Sequence, residues 1–252
     1  MLNLQKSFLL PISLRGLSNM PKGSVVENIE VVHKGKWLET HHINYVDPHG
    51  NKRQWEAMSY VSRPELSGGF DSVCVIAVLK RNLHHNCFVL VKQFRPPLGC
   101  YSIEFPAGLC DSDDADVHTT ALRELYEETG YSGLIADETA IDLPTSLDPG
   151  TENSRIALVN VVIDGDDPKN VNCKQHLDDG EFIEVVLLPV RGLLDRLRKV
   201  VAESAEKVVI DSRLYALAMG LEMGIGLSTK KNICENTEAD TVTAESAVYS
   251  NP

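Results

Sequence analysis

The sequence predicts a layered domain of the α/β or α+β class, with a small β-hairpin attached on its N-terminal side. Two observations support this prediction. Apolar, β-rich runs alternate with stretches of helical periodicity, and a strong turn sequence joins the first two of those runs. The chain has 252 residues, of which 43% are hydrophobic and 24% charged, so it can bury a sizeable core.

The predicted elements follow one another along the chain. Asp47-Pro48-His49-Gly50 is a turn sequence between strands at 36–45 and 52–61, so these strands are expected to form a hairpin. Further strands are predicted at 73–79, 87–91, 156–163 and 182–188. Helices are predicted over the stretch that ends at Thr129-Gly130, over 190–204, and over 211–223 with Asp211 as N-cap.

The two ends of the chain differ in composition from its middle. Residues 1–26 contain three basic residues and no acid. This composition is typical of an organelle transit peptide, but Pro11 interrupts the amphipathic helix that such a peptide forms, so a disordered leader, bypassed by a start at Met20, is favoured over targeting. Residues 227–252 lack apolar periodicity and are expected to form a disordered tail. Between them we predict an N-terminal β region at 27–65 and the main domain at 66–226.

The overall charge excludes some classes of partner. The formal net charge is −12, whereas nucleic acids and anionic membrane surfaces are bound by basic faces. No apolar run is long enough for a membrane-spanning helix, so neither nucleic acid nor membrane is expected as a partner. Six irregularly spaced cysteines indicate free thiols in a reducing compartment. We expect a cytoplasmic protein, with a nuclear pool also compatible and mitochondrial targeting by residues 1–26 as the alternative.

Three acidic residues gather on one face of a predicted helix. Glu124, Glu127 and Glu128 share an arc of about 100° at the helical angle of about 100° per residue. Like charges one turn apart destabilise a helix, and acids near its C-terminal end oppose its dipole. A bound divalent cation such as Mg²⁺ would remove both penalties. The alternative is a solvated acidic face with an Arg123–Glu127 ion pair. The core-facing positions would be Ala115, His118, Ala121, Leu122 and Leu125.

The stretch 108–131 resembles the Nudix box, which reads Gly, five residues, Glu, seven residues, Arg-Glu, an aliphatic, any residue, Glu-Glu, any residue, Gly and a hydrophobic. The matching residues are Gly108, Arg123, Glu124, Leu125, Glu127, Glu128, Gly130 and Tyr131. Two features depart from the pattern: Gly108 and Arg123 are one residue further apart, and the first Glu is missing. The nearest acids are Asp114 and Asp116, and an acid there can support the start of the helix.

The resemblance extends over residues 27–225 to the animal ADP-sugar pyrophosphatases, through segments such as KGKWLE, RQWEAM, LVKQFRPPLG, IEFPAGL, SLDPG and DDGEFIEV. It implies a Nudix α/β/α sandwich with a mixed sheet, and an N-terminal antiparallel hairpin or small sheet used in dimerisation. It also implies Mg²⁺-dependent hydrolysis of ADP-ribose and related ADP-sugars to AMP and a sugar phosphate. Two or three Mg²⁺ per site, with Mn²⁺ as a substitute, and a homodimer with shared active sites are part of the same expectation.

The resemblance assigns roles to individual residues. The implied metal ligands are the carbonyl of Ala107 and the carboxylates of Glu124, Glu127, Glu128 and Glu181. The implied catalytic residues are Glu181, which assists the attack of water, Arg123 and Glu127. The implied substrate-binding residues are Trp37, Trp55, Glu56, Arg95, Leu109 and Asp148, with the two tryptophans sandwiching adenine from different subunits. Without the resemblance, each tryptophan could equally pack in a core, Arg95 could pair with an acid, and Glu181 would be a loop acid.

One substrate position departs from the relatives. Ser59-Tyr60 stands where a basic residue is usual, and the next arginine is Arg63. Either Arg63 compensates, or the diphosphate is held less tightly. Two other functions stay open from the sequence: a Nudix hydrolase of UDP-sugars or oxidised nucleotides, and a weakly catalytic module that binds ADP-ribose.

Overall fold

The computed structural model describes residues 23–61, 69–136, 143 and 145–239, with side chains described through Ile225. Arg63, most of the leader and the last thirteen residues, 240–252, therefore lie outside the described residues. The chain divides into two units: residues up to Arg63 together with Ser146–Ser154, and Pro64–Thr145 together with the chain from Arg155 onward.

The smaller unit is an antiparallel sheet. Its described strands are β1 (Val25–Lys34), β2 (Leu38–Val46) and β3 (Lys52–Tyr60), in the order β1-β2-β3. The predicted hairpin is confirmed as β2–β3. Its turn is stabilised because Asp47 Oδ1 accepts the backbone N–H groups of His49 and Asn51, both at 2.9 Å. Gly50 follows with a φ of +85°, which only glycine adopts without strain.

Strand β1 begins at Val25, two residues before the predicted start of the β region. All ten of its residues are exposed. Strand β1 therefore lacks the alternation between buried and exposed residues on which the prediction of a half-buried strand depends. The segment Ser146–Ser154, expected within the main domain, belongs to this unit. It runs beside β3, where the N–H of Met58 donates to the Thr151 carbonyl at 2.8 Å.

The larger unit is built on a mixed sheet. Its described strands are β4 (Ser72–Lys80), β5 (Cys87–Arg95), β6 (Cys100–Glu104), β7 (Ala107–Leu109), β8 (Leu134–Ile135), β10 (Arg155–Asp164), β11 (Ile183–Pro189) and β12 (Val208–Ile210). A short strand β9 (Thr145–Ser146), whose Thr145 belongs to this unit, pairs with β10. The main path runs β12-β6-β5-β4-β10-β8, with β11 on β5 and β7 on β4. The β4–β10 and β6–β12 pairs are parallel, and the pairs β4–β5, β5–β6, β5–β11, β4–β7 and β8–β10 are antiparallel.

Helices cover both faces of this sheet. Strand β4 alternates between two cores: Val73 and Val75 pack with helix α1 (Val117–Thr129), whereas Cys74 packs on the opposite side. On that side lie α2 (Leu193–Glu203) and α3 (Ser212–Ala239). Because β4 lies between two cores, its residues are apolar on both faces. The predicted α/β/α arrangement with a mixed sheet is confirmed. Among the described residues, no helix combines the length and the apolar character needed to cross a membrane.

One residue placement and one helix boundary differ from the prediction. Helix α1 begins at Val117, because Asp116 caps its N-terminus, so Ala115 precedes the helix and is exposed rather than core-facing. Ala121 and Leu125 are fully buried, as predicted. Helix α3 continues to Ala239, past the predicted end at Met223 and into the predicted disordered tail. The sequence has no proline between Asp211 and Tyr249, so nothing there removes a helical hydrogen bond.

Candidate active site

The two ends of helix α1 fix the position of its acidic residues. At its start, Asp116 Oδ1 accepts the backbone N–H of Thr119 at 2.8 Å. At its end, Gly130 adopts a left-handed conformation with a φ of +76°, and its N–H donates to the Tyr126 carbonyl. Because Ala121 and Leu125 are buried against the sheet, the helix cannot turn about its own axis. Its acidic ridge, which consists of Glu124, Glu127 and Glu128, therefore faces strand β7.

Glu128 is held against the start of β7. Its Oε2 accepts the backbone N–H of Ala107 at 3.1 Å, and only 4% of the residue is exposed. Glu124 lies one turn earlier, directly over Gly108. A Cβ atom added to Gly108 would lie 2.0 Å from Cδ of Glu124, so no other residue fits there without moving the carboxylate. Two of the predicted metal-binding carboxylates and the Ala107 backbone are thus brought together.

Arg123 ties the remaining acids to this cluster. Its Nη1 donates to Glu124 Oε1 at 2.8 Å and to Glu127 Oε2 at 3.0 Å. Its Nη2 donates to the backbone carbonyl of Leu109 at 3.1 Å. The Arg123–Glu127 pair considered as an alternative is therefore present, but it is part of a network that also holds Glu124.

The missing first Glu of the box is replaced by two aspartates. Asp114 is buried, and its carboxylate accepts hydrogen bonds from Arg123 Nε at 3.2 Å and Nη2 at 2.8 Å. It also accepts from Thr120 Oγ1 at 2.9 Å. Asp116 caps the helix instead. Two separate acids thus support Arg123 and the helix start, and the extra residue between Gly108 and Arg123 lies in this region.

Burial raises the free energy of the charged carboxylates on the acidic ridge. The pKa of Glu128 is raised to about 8, mainly by burial and also by the nearby carboxylates of Glu124 and Glu181, although the hydrogen bond from the Ala107 N–H opposes this shift. Burial likewise raises the pKa of Glu124 to about 7, against the lowering effect of Arg123. Two buried carboxylates that resist ionisation are stabilised in their charged forms by a cation beside them.

The donor set fits a divalent metal ion that also binds substrate. Within the described part of the chain, no three His, Cys, Asp or Glu side chains converge into a complete metal cage. Mg²⁺ does not require one, since it is usually held by one or two carboxylates plus substrate phosphates and water. Glu124, Glu128 and the adjoining Ala107 backbone supply hard oxygen ligands of that kind.

Arg95 is held in a fixed orientation at the end of strand β5. Its Nε and Nη2 donate to the two carboxylate oxygens of Glu104 at 2.8 and 2.6 Å, a bidentate pair. The Glu104 side chain is 6% exposed and that of Arg95 is 40% exposed, so the guanidinium can reach a ligand while it stays paired. The charge of Glu128 acts on the pKa of Arg95, which places the arginine within electrostatic range of the acidic ridge.

Glu181 lies in an exposed turn before β11. Its N–H donates to the Asp178 carbonyl, and its Oε2 accepts the Asp178 N–H, both at 3.1 Å. Gly180 allows this turn with a φ of +89°. The charge of Glu181 raises the pKa values of Glu124 and Glu128, so the turn belongs to the same electrostatic environment.

The remaining predicted residues lie in the smaller unit. Trp37 and Trp55 are 69% and 52% exposed, so neither packs in the core of the described unit. The indole N–H of Trp55 donates to the Gly150 carbonyl at 2.8 Å, and Asp148 Oδ1 accepts the Gly150 N–H at 3.2 Å. Trp55 and Asp148 are therefore brought together through one glycine. The Glu56 side chain is 88% exposed beside His42.

Comparison with known proteins identifies the family. The family model of the NUDIX domain matches residues 70–209. The chain belongs to the NUDIX domain family. It is 42% identical over 202 residues to the mouse "ADP-sugar pyrophosphatase", covering 80% of this chain and 89% of that protein. It is 34% identical over 224 residues to the Saccharomyces cerevisiae "ADP-ribose pyrophosphatase", covering 88% and 93% respectively. The resemblance inferred from the sequence is confirmed.

A solved structure supports the same fold for this NUDIX protein. The "ADP compounds hydrolase" crystal structure superposes with a TM-score of 0.54 at 19% identity, over 81% of this chain and 97% of that one. At this identity the likeness concerns the fold alone. The Nudix hydrolase fold expected from the box is thereby confirmed, whereas the use of the N-terminal sheet in dimerisation stays a prediction.

Sequence reasoning missed the residues that hold the site of this NUDIX protein in place. Glu104, the partner of Arg95, lies in the antiparallel neighbour strand of β5, and an acid so placed was the available signal. Gln175 donates through its side-chain amide to the backbone carbonyls of Glu128 and Ile183. No residue type around Gln175 indicates these contacts, because both acceptors are backbone carbonyls, which every residue possesses.

Proposed function

We propose that this NUDIX protein hydrolyses the pyrophosphate bond of ADP-ribose and related ADP-sugars, giving AMP and a sugar phosphate, with Mg²⁺ as cofactor. The observation that carries the proposal is the buried pair Glu124 and Glu128 beside the backbone of Ala107 and Gly108. The names of the mouse and yeast relatives, which align over most of the chain, support ADP-sugars as the substrate class.

The metal-binding residues would be Ala107 through its carbonyl, Glu124, Glu127, Glu128 and Glu181. Two or three Mg²⁺, replaceable by Mn²⁺, would neutralise the diphosphate, polarise phosphorus and lower the pKa of bound water. Arg123 positions two of these carboxylates through its hydrogen bonds to Glu124 and Glu127. The protein is acidic overall, so the ridge needs cations before it can accept an anionic substrate.

Other residues would contact the substrate and transfer the proton. Arg95, held by Glu104, presents a guanidinium suited to a phosphate oxygen. Leu109 is half exposed at the end of β7, where its side chain can pack against the ligand. Glu181 would orient or deprotonate the attacking water, a contribution of typically 10²–10⁴-fold in rate.

The nucleoside would be recognised by Trp37, Trp55, Glu56 and Asp148 in a homodimer with shared active sites. Two observations support this part of the proposal: both tryptophans are largely exposed, and β1 exposes five large apolar residues, namely Val25, Val26, Ile29, Val31 and Val32. A second subunit that covers this sheet would bury the apolar strand. One tryptophan from each subunit would then stack on adenine.

A substrate panel tests the proposed reaction. ADP-ribose, ADP-mannose and UDP-glucose are incubated with the protein, with and without Mg²⁺, and the products are separated by chromatography. We expect AMP from the ADP-sugars only when Mg²⁺ is present. Preferential turnover of UDP-glucose, or of oxidised nucleotides, would assign a different Nudix substrate. Tight binding of ADP-ribose without turnover would identify a binding module.

Mixing two variants tests the shared site. Glu128→Gln protein is combined with Trp37→Ala protein and, separately, with Trp55→Ala protein, under conditions that exchange subunits. If the tryptophans of one site come from different subunits, only one of the two mixtures recovers activity at low substrate concentration. Recovery in neither mixture or in both would contradict the arrangement. Sedimentation of the wild type should show a dimer.

A further inference from the structure

A short segment before the Glu181 turn is docked on the C-terminal end of helix α1. The N–H of His176 donates to the Glu127 carbonyl at 2.8 Å, and the His176 ring stacks on Tyr126 at 4.7 Å between ring centroids. The backbone of Lys174 lies so close to Gly130 that an added Cβ there would approach it to 2.5 Å. The His176 hydrogen bond satisfies a carbonyl that the end of a helix otherwise leaves unpaired.

Gln175 makes the central contact of this segment. Its Nε2 donates one hydrogen bond to the Glu128 carbonyl at 2.7 Å and a second to the Ile183 carbonyl at 2.9 Å. One acceptor belongs to a residue of the acidic ridge, and the other is two residues beyond Glu181. A single side-chain amide therefore joins the helix that carries the ridge to the strand that follows the Glu181 turn.

We propose that Gln175 is a positioning residue, which sets the distance between the Glu181 carboxylate and the Glu124–Glu128 pair by bridging the Glu128 and Ile183 backbones. This inference rests on the proposed function, in which Glu181 acts on the attacking water. The turn itself supplies little rigidity, since Glu181 is exposed and its own hydrogen bonds in the turn are those to Asp178. A displacement of about 1 Å at a reacting group can lower a rate about 10²-fold.

The kinetic test is a double-mutant cycle between Gln175 and Glu181. Gln175→Ala should lower kcat for ADP-ribose about 10- to 100-fold with little change in KM, because the water-directing group is misplaced while substrate contacts remain. In a Glu181→Gln background the same substitution should lower kcat less than about threefold, because the group that it positions is already gone. Gln175→Met, which keeps the volume and removes both donors, should behave like Gln175→Ala.

A readout independent of turnover is the hydrogen exchange of the turn in metal-free protein. Peptides that cover residues 177–182 should exchange several-fold faster in Gln175→Ala than in the wild type, while peptides from the middle of α1 stay unchanged. Asn170 provides a matched control. Its amide also bridges two backbone carbonyls, those of Ser132 at 2.9 Å and Asp164 at 2.8 Å, but neither adjoins the Glu181 turn. Asn170→Ala should leave exchange at 177–182 unchanged.

Several outcomes would overturn the inference. An equal loss of kcat in both backgrounds would mean that Gln175 acts on the ridge or on the fold in general. Unchanged kcat in Gln175→Ala, or unchanged exchange at 177–182, would remove its positioning role. A wild-type protein without activity on ADP-ribose would instead contradict the proposed function. The two failures are therefore distinguishable.

Discussion

Arg123 and Asp114 form a two-point hydrogen-bonded pair, with Nε and Nη2 of the arginine donating to the two carboxylate oxygens at 3.2 and 2.8 Å. The pair lies where the sequence departs from the Nudix box. An aspartate has a shorter side chain than the missing glutamate. The turn in which the Asp114 N–H donates to the Asp111 carbonyl nevertheless brings its carboxylate to Arg123. The altered box therefore retains a buried anchor for the arginine that holds Glu124 and Glu127.

Replacing Asp114 should weaken both the fold and the site. Asp114→Asn removes the negative charge and one of the two acceptor oxygens that Arg123 uses. Because one charge-assisted hydrogen bond is worth about 1.5–3 kcal/mol, we expect the free energy of unfolding to fall by about that amount. Activity should also fall, because Arg123 is freed to shift away from Glu124. Urea denaturation and kcat measure the two effects. Asp113→Asn is the control, since Asp113 is exposed and does not contact Arg123. Equal effects of the two substitutions would contradict this role for Asp114.

Asp114 should also make stability depend on acid pH. Hydrogen bonds from Arg123 lower its pKa from 3.8 to about 2. Because the pKa is lower in the folded state, the stabilisation is complete above about pH 4 and is lost as the pH falls towards 2. Unfolding free energies measured between pH 5 and pH 2 should therefore fall less steeply in Asp114→Asn than in the wild type. Parallel curves for the two proteins would count against the pair.

A methyl group at Gly108 should disrupt the ridge. Gly108→Ala places its Cβ against the Glu124 carboxylate, which must then move. We expect kcat to fall on the order of 10²-fold, the usual cost of misplacing a reacting group. The control is Gly220→Ala on helix α3, where no atom beyond the neighbouring residues and the backbone of the helix itself lies within 4 Å of the added Cβ, and which should keep full activity. Wild-type turnover by Gly108→Ala would show that Glu124 need not lie where the structure has it.

Glu128→Gln should abolish turnover yet stabilise the metal-free protein. Burial raises the pKa of Glu128 from 4.5 to about 8, so the unfolded chain releases this proton first as the pH rises. Stability of the metal-free wild type should thus decrease between about pH 5 and pH 8. The glutamine removes this contribution, on the order of a few kcal/mol at pH 8. Melting curves in EDTA at pH 5 and pH 8 measure it. A variant less stable than the wild type at pH 8 would contradict the conclusion that burial destabilises the charged form of Glu128.

Trp55 should contribute to binding rather than to the chemical step. Trp55→Ala is expected to raise KM for ADP-ribose more than it lowers kcat, since stacking on a base is worth about 1–3 kcal/mol. Trp55→Phe keeps an aromatic ring but loses the hydrogen bond to the Gly150 carbonyl, so its KM should lie between that of the wild type and that of Trp55→Ala. Steady-state kinetics with ADP-ribose and UDP-glucose check this. If Trp55→Ala discriminated between the two bases as well as the wild type does, the stacking role would be wrong.

The sequence predicts those parts of the structure that depend on local pattern. The acids of helix α1 are separated by three and four residues, which places them on one face whatever surrounds the helix, and Gly130 marks its end. The β2–β3 hairpin follows from the Asp47 turn in the same way. The family motif implies roles for the individual residues that local pattern does not assign, and those roles stay predictions.

Contacts between distant segments were beyond sequence reasoning. Short strands such as β7 and β12, each of three residues, carry no periodicity of their own and exist because a neighbouring strand pairs with them. The bonds from Gln175 to the Glu128 and Ile183 carbonyls involve partners that every residue possesses, so no residue type signals them. The sequence offers two aspartates, Asp114 and Asp116, near the start of α1, and only their three-dimensional partners show that Asp116 is the cap, so the prediction of Ala115 as a core-facing helical residue was wrong.

The central claim is that the ridge of Glu124 and Glu128 binds divalent ions that in turn bind a diphosphate. The most direct measurement is a crystal structure with Mg²⁺ and an ADP-ribose analogue whose bridging oxygen is replaced by methylene. We predict Mg²⁺ between these two carboxylates, the Ala107 carbonyl and the diphosphate oxygens. A diphosphate bound elsewhere, with no metal at the two carboxylates, would contradict the account.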